Sequence, residues 1–296
     1  MEALYLDNAA TTPLDPAVRA AMLPYLEGEF GNPSSRHAPG VRAARALETA
    51  RAELARATGA RSEHVVFTSG GTEANNLAVL GFARARAGLG QHVLVGATEH
   101  PCVREPAQVL AGEGFEVESL RLDARGTLDL EDLARRLRPD TVLVAHMLVN
   151  NEYGTVYPLA RAARSVRANA PQALFHVDAV QALGKVEVSL AALGVTSLAL
   201  GAHKFHGPKG VGALVFDAPV APRPLLHGGG QERALRPGTE NVAGIVGLAR
   251  AAALADAALA SSRAHFATLK EALLAALAPH GCARVEPGGS EGCTSA

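Results

Sequence analysis

Tryptophan is absent from this 296-residue chain, cysteine and methionine each occur three times, and lysine occurs four times against 24 arginines. Cys102, Cys282 and Cys293 are an odd number without metal-knuckle spacing. That excludes a disulfide scaffold and points to a reducing compartment with room for a reactive thiol. Neither sign of charge is in excess: 28 Lys+Arg against 29 Asp+Glu leaves −1. Such a balance argues against a basic nucleic-acid footprint and against a polybasic membrane face. A long unbroken apolar run is also missing. The most apolar stretch, 242–260, contains Arg250 and Asp256 and reads as a buried helix, not a membrane span. The opening MEALYLDNAATTP has an acid where a secretory signal has a base, so a soluble cytoplasmic protein is expected.

Apolar residues make up 48% of the chain, enough for one large domain or one large and one small. Short, often β-branched runs at 64–67, 92–95, 141–145, 174–177, 197–200 and 211–216 read as strands covered on both faces. Helical patterns occupy 38–58, 72–87, 103–112, 130–138 and 159–169. The alternation predicts an α/β fold, a mainly parallel sheet sandwiched by helices with right-handed crossovers. The loop between the last two runs is too short for a helical crossover, so one antiparallel pairing is expected. After Pro224 a Gly-rich loop leads into two helical stretches, 242–260 and 262–278.

Ligands of open α/β sheets bind beyond the carboxyl ends of the strands, so the residues just past each run are informative. Thr68-Ser69-Gly70-Gly71-Thr72 precedes a helix and suits a phosphate held by free N–H groups, or a turn in which Thr72 caps the helix. Thr98-Glu99-His100-Pro101 offers an imidazole that stacks on a ring and moves protons, or a structural histidine. Asp178, at the end of an apolar run, calls for a cation such as a protonated ring nitrogen, or caps a helix with Gln181 in the capping-box position. Lys204 lies between His203 and His206; burial and nearby positive charge would fit its amine to bond an aldehyde, whereas most lysines are solvated surface groups. Taken together, aldehyde trap, ring-nitrogen partner, stacking ring and phosphate cradle describe pyridoxal 5'-phosphate. A dinucleotide is the rival, but no G-x-G-x-x-G comes after a predicted strand.

LDNAATTPLDP, FGNPSS, FTSGGTEANN, TEHPCV, VNNEYGTV, HVDAVQ, GAHKFHGPKGVGAL and GGGQERALRPGTENVAGIVG, from about Tyr5 to about Gly247, resemble the cysteine desulfurase family. These are fold-type I pyridoxal-phosphate enzymes of aminotransferase class V. The resemblance implies that Lys204 bonds the cofactor, Asp178 pairs with its ring nitrogen and Gln181 with its phenolic oxygen. His100 would stack and shuttle protons, while Gly71, Thr72 and His203 would hold the phosphate. Thr239 would reach the phosphate of the neighbouring subunit of a homodimer, and Asn151 would lie beside cofactor and substrate carboxylate. The implied reaction converts L-cysteine to L-alanine and leaves a persulfide, which passes to an iron–sulfur scaffold or a tRNA-thiolation protein, with no direct nucleic-acid or membrane partner. The ending GSEGCTSA is similar to the family's mobile cysteine loop, which would make Cys293 the persulfide carrier; an inert thiol on a frayed tail is the alternative. A selenocysteine lyase of the same class, or a cofactor-binding homologue without turnover, stays open as the function. On this reading residues 1–14 are an N-terminal arm and 15–248 the large cofactor-binding domain. Residues 249–296 are then a helical remnant of a small domain with a cysteine tail. Two departures stand out: Gly201 replaces a phosphate-site serine, and no arginine comes after Cys293 to grip the substrate carboxylate.

Overall fold

In the computed structural model, which describes residues 4–280, every predicted apolar run is a strand of one sheet. The chain runs α1 (Pro16–Glu27), α2 (Ala38–Ala57), β1 (Val65–Thr68), α3 (Gly71–Arg86), β2 (His92–Gly96), α4 (Pro101–Gly112), β3 (Glu116–Leu120) and α5 (Leu130–Arg136). It continues through β4 (Thr141–Met147), α6 (Leu159–Asn169), β5 (Leu174–Asp178), α7 (Leu190–Leu193), β6 (Ser197–Gly201), β7 (Gly212–Phe216) and α8 (Val242–Leu277). The seven strands lie in the order β1-β7-β6-β5-β4-β2-β3.

Both faces are covered, which is why these strands read as continuous apolar runs. Alternate residues such as Leu94, Val144, Phe175, Val177 and Leu198 join a core with α1, α2, α6 and α8. The opposite set, including Val93, Val95, Leu143, Ala145, Leu174 and Ala199, packs against α3 and α4. Parallel crossovers bring the carboxyl ends of β2, β4, β5 and β6 to one rim.

Three expectations are corrected. β7 is antiparallel to β1 as well as to β6, so there are two antiparallel pairings, because the reversed strand is inserted between them. β3 is an addition to the expected strands: Glu-Val-Glu-Ser-Leu is a half-exposed edge strand with little apolar signal. The two C-terminal stretches are a single helix, α8, since serine does not break a helix and Ser261 Oγ bonds back to the Ala258 carbonyl at 2.9 Å. Its first turns are buried, as predicted, through residues such as Ile245, Leu248 and Ala252, while Leu269, Leu273 and Leu277 are exposed farther along. The unpredicted α1 carries its own signal, Asp15 as cap with proline at the first position.

The Gly-rich loop after β7 returns to the free side of β1. Glu232 is buried there in a two-pronged pair with Arg51, at 2.7 and 2.9 Å, and accepts the Phe67 N–H at 2.8 Å. Arg51 and Arg233 both donate to the Val65 carbonyl. Glu232, Arg233 and Ala234 all have positive φ (45°, 59° and 60°), a left-handed conformation that each non-glycine residue holds at about 1 kcal/mol or more. The buried ion pair holds this strained turn in place.

Candidate active site

At the carboxyl rim a cavity of about 430 Å³ opens. Among its lining residues are Gly71, Thr72, His100, Asn151, Asp178, Gln181, His203 and Lys204. Five separate strand ends deliver these groups, as the sequence predicts.

α3 begins at Gly71 after Gly70, and none of the described side chains caps its first turn. Thr72 is therefore inside the helix and not its cap. An uncapped helix start presents N–H groups and a positive dipole end to the cavity, where an anion suits both. Gly71 is required because a Cβ there would fall 2.5 Å from Val180 Cγ2. Gly212 is required on β7, where a Cβ would strike the backbone of Gly70 at 2.5 Å. At Gly201, by contrast, a Cβ would meet Gly71 N at 3.4 Å and Val180 Cγ1 at 3.5 Å, ordinary contacts, so the position has room for a Cβ.

Asp178 ends β5 and is buried. The chain turns after it instead of starting a helix, so the capping-box alternative falls. Its Oδ1 accepts the Val180 N–H at 2.9 Å and its Oδ2 accepts Asn75 Nδ2 at 2.8 Å. Burial raises its pKa above the usual carboxylate value, and these two hydrogen bonds oppose the rise. A cation placed against this buried carboxylate would offset the cost of its burial.

Lys204 comes after β6. Its Nζ donates to the Ala9 carbonyl at 2.5 Å and the Ala10 carbonyl at 2.9 Å, both on the N-terminal segment. Its pKa is lowered by burial; the charges around it, Asp178 and then Asp7, pull the other way, so nearby positive charge is not the cause. Gln181 Nε2 donates to the same Ala9 carbonyl, and Gln181 Oε1 accepts Lys185 Nζ at 2.7 Å. Burial, and then Lys204, bring the Lys185 amine down to about 8.

His100 is exposed at the start of α4, where its Nδ1 accepts the Cys102 N–H at 3.2 Å. That bond leaves the proton on Nε2. His203 Nδ1 lies 3.1 Å from Thr11 Oγ1, and the His203 carbonyl accepts from Thr12. Cys102 is buried beside Asp178, and its thiol is pushed up to about 12, chiefly by burial, which keeps it protonated. Thr239 is exposed and does not line this cavity, and Cys293 lies outside the described residues.

Sequence reasoning missed Asn75, the Ala9 and Ala10 carbonyls, and Lys185. Backbone carbonyls leave no signal in a sequence. Asn75 stands within FTSGGTEANN, one turn beyond Thr72, and that spacing is its signal.

The donor set fits pyridoxal phosphate: an amine for its aldehyde, a buried acid for its ring nitrogen, and an uncapped helix start for its phosphate. Residues 4–288 match the aminotransferase class-V family. Cysteine desulfurase IscS of Dictyoglomus turgidum is 47% identical over 85% of this chain and 64% of its own length. The chain thus spans a little under two thirds of that curated relative. A NifS-like protein superposes with a TM-score of 0.93 at 39% identity, covering 96% of this chain and 78% of that one. The structure of SspA in complex with cysteine superposes at 0.80, with 37% identity, over 84% of this chain and 72% of that one. With motif, geometry and likeness in agreement, this chain belongs to the aminotransferase class-V family, on its NifS/IscS-like cysteine desulfurase branch, whose enzymes depend on pyridoxal phosphate.

Proposed function

We propose that the chain is a pyridoxal-phosphate-dependent cysteine desulfurase that takes the sulfur of L-cysteine onto a cysteine thiol and releases L-alanine. The observation that carries this is the placing of Lys204 and the buried Asp178 on one cavity over the uncapped start of α3. When bound, pyridoxal phosphate supplies an electrophilic carbonyl carbon and an electron-withdrawing ring. Gly71, Thr72 and His203 hold its phosphate, and Asp178 holds the proton of its ring nitrogen. Gln181 turns its amide to the phenolic oxygen, with Lys185 fixing the other end of that amide.

Lys204 Nζ, whose pKa burial lowers, and His100 Nε2 carry the protons that leave and rejoin the substrate. Asn151 lies beside the substrate carboxylate. Cys293 is the thiol that receives sulfur, and its persulfide passes to an iron–sulfur scaffold or a tRNA-thiolation protein. A homodimer is supported by the position of Thr239, away from its own cavity, and by exposed Leu4, Leu6, Phe30 and Leu226. Cytoplasmic residence accords with chemistry that needs reduced thiols.

The test is incubation of the cofactor-loaded chain with L-cysteine and a reductant. Sulfide and alanine are expected in equal amounts, with both lost in Cys293→Ala. Turnover of selenocysteine alone assigns the chain to the lyases, and failure to take up the cofactor overturns the reading.

A further inference from the structure

We propose that Asn75, His176 and Ser197 form a buried, one-way hydrogen-bond relay that positions Asp178 toward the cavity. The proposal rests on the pyridoxal-phosphate reading for its purpose, but its geometry stands in the cofactor-free chain. His176 and Asp178 are two residues apart on β5, so they share one face of the sheet, the face covered by α3. Ser197 on β6 is the register partner of His176, and Asn75 comes from α3. Asn75, His176 and Ser197 are each 0% exposed, and none of them lines the cavity. Three bonds of 2.8 Å connect the chain: Ser197 Oγ to His176 Nδ1, His176 Nε2 to Asn75 Oδ1, and Asn75 Nδ2 to Asp178 Oδ2.

The direction of every bond is set by the last. An ionised carboxylate only accepts, so Asn75 must turn its NH2 to Asp178 and its carbonyl oxygen to His176. That oxygen only accepts, so His176 carries its proton on Nε2. Nδ1 is then bare, and the Ser197 hydroxyl must donate to it. Burial favours the neutral imidazole that this pattern requires, with the His176 pKa lowered to about 3. Donation thus runs Ser197→His176→Asn75→Asp178, and a reversed link would leave two acceptors facing each other in an apolar interior, a costly arrangement.

Asn75 Nδ2 also lies 3.1 Å from Cys102 Sγ, so its amide plane is fixed from two sides. With Val180 N–H on the other oxygen, neither half of the carboxylate is free to rotate. The relay is not needed to fill space: Leu or Val at position 176 would serve the apolar face. Its use is to keep Asp178 charged and aimed. Asn75 and His176 are positioning residues; neither touches the substrate or the cofactor site directly.

Histidine-selective nitrogen NMR of the cofactor-free chain tests the tautomer. His176 should show a protonated Nε2 and a bare Nδ1, without titration through neutral pH, and the opposite tautomer overturns the relay. Variants test its consequence. Asn75→Ala should lower turnover of L-cysteine about tenfold with KM little changed, and shift the pH titration of the bound cofactor's visible absorbance. The other groups facing Asp178 in that titration are His100, Cys102, Glu99 and Lys204, which all variants retain. Ser197→Ala, one link farther away, should give about a threefold loss that Ser197→Thr restores. An absorbance titration unchanged in both Asn75→Ala and Ser197→Ala overturns the proposal. Should Asn75→Ala not fold, the Ser197 pair decides it. Should the parent take up no pyridoxal phosphate, the site reading fails, and the His176 tautomer still decides whether the relay exists.

Discussion

Two cavities of almost equal size sit at opposite ends of the same sheet, about 430 Å³ at the carboxyl rim and about 460 Å³ at the amino rim. The amino-rim cavity is lined by Gly59, Arg61, His64, Arg167, Thr196 and Asp217 among others. Its charges are spread to water: the Arg61 and Asp217 side chains are 66% and 63% exposed, and Arg61 is already paired with Glu63. At the carboxyl rim Asp178 is buried and Lys204 half-buried, burial displaces both from their ordinary pKa values, and each stands at a strand end. Volume therefore does not separate a functional site from a surface hollow. What separates them is buried polar chemistry that the fold pays to keep in place.

The sharpest way to break this contrast is at Lys204. Lys204→Ala should abolish the protein-bound visible absorbance of the cofactor and lower turnover by roughly 10³-fold or more. Retained absorbance would reduce Lys204 to a surface amine like those of the other rim. Next in size is Asp178→Ala, which removes the partner of a buried cation at about 3 kcal/mol, or roughly 10²-fold in turnover measured with L-cysteine.

Lys185 sharpens the contrast through stability. Its pKa falls from 10.5 to about 8 on folding, so the unfolded chain binds the extra proton between those values. Stability should therefore rise with pH from about 8 to 10.5, by about 3 kcal/mol in urea titrations, and Lys185→Met should remove that slope. Gly201→Ser should tighten cofactor binding about threefold, read by equilibrium dialysis, because the added side chain fits beside Gly71 N. The smallest effects belong to the amino rim. Arg61→Ala and Arg167→Ala should each change stability by less than about 0.5 kcal/mol and leave turnover unaltered. A large loss of turnover there would end the distinction between the two cavities.

Much of the carboxyl rim was legible because parallel strands deliver their chemistry at fixed chain positions, so Gly71, His100, Asp178 and Lys204 could each be read from their place at a strand end. Groups that act through space were harder. Thr239 is exposed and lies outside the cavity lining, and Asn75 reaches Asp178 from a helix 103 residues earlier in the chain. His176 was hidden in the apolar run that it interrupts. In the fold, β3 escaped notice because an edge strand half in water has no apolar excess, and the second antiparallel pairing because insertion of β7 beside β1 depends on contacts far apart in sequence. The unbroken α8 shows the opposite error, a boundary placed at serines that the helix absorbs through a back-bond.

The Glu232–Arg51 pair has a consequence for association between molecules. The outward amide of Phe67 and carbonyl of Val65 are the groups through which a foreign β-strand would add to the sheet. Side chains already satisfy both, so that flank offers no template for intermolecular ladder growth. At the far flank β3 bears Glu116 and Glu118, bound to Arg138 and Arg136, and an incoming strand would have to displace those charges. Opening the β1 flank by Arg51→Ala would expose an aggregation-prone border in a protein whose net charge of −1 gives little mutual repulsion.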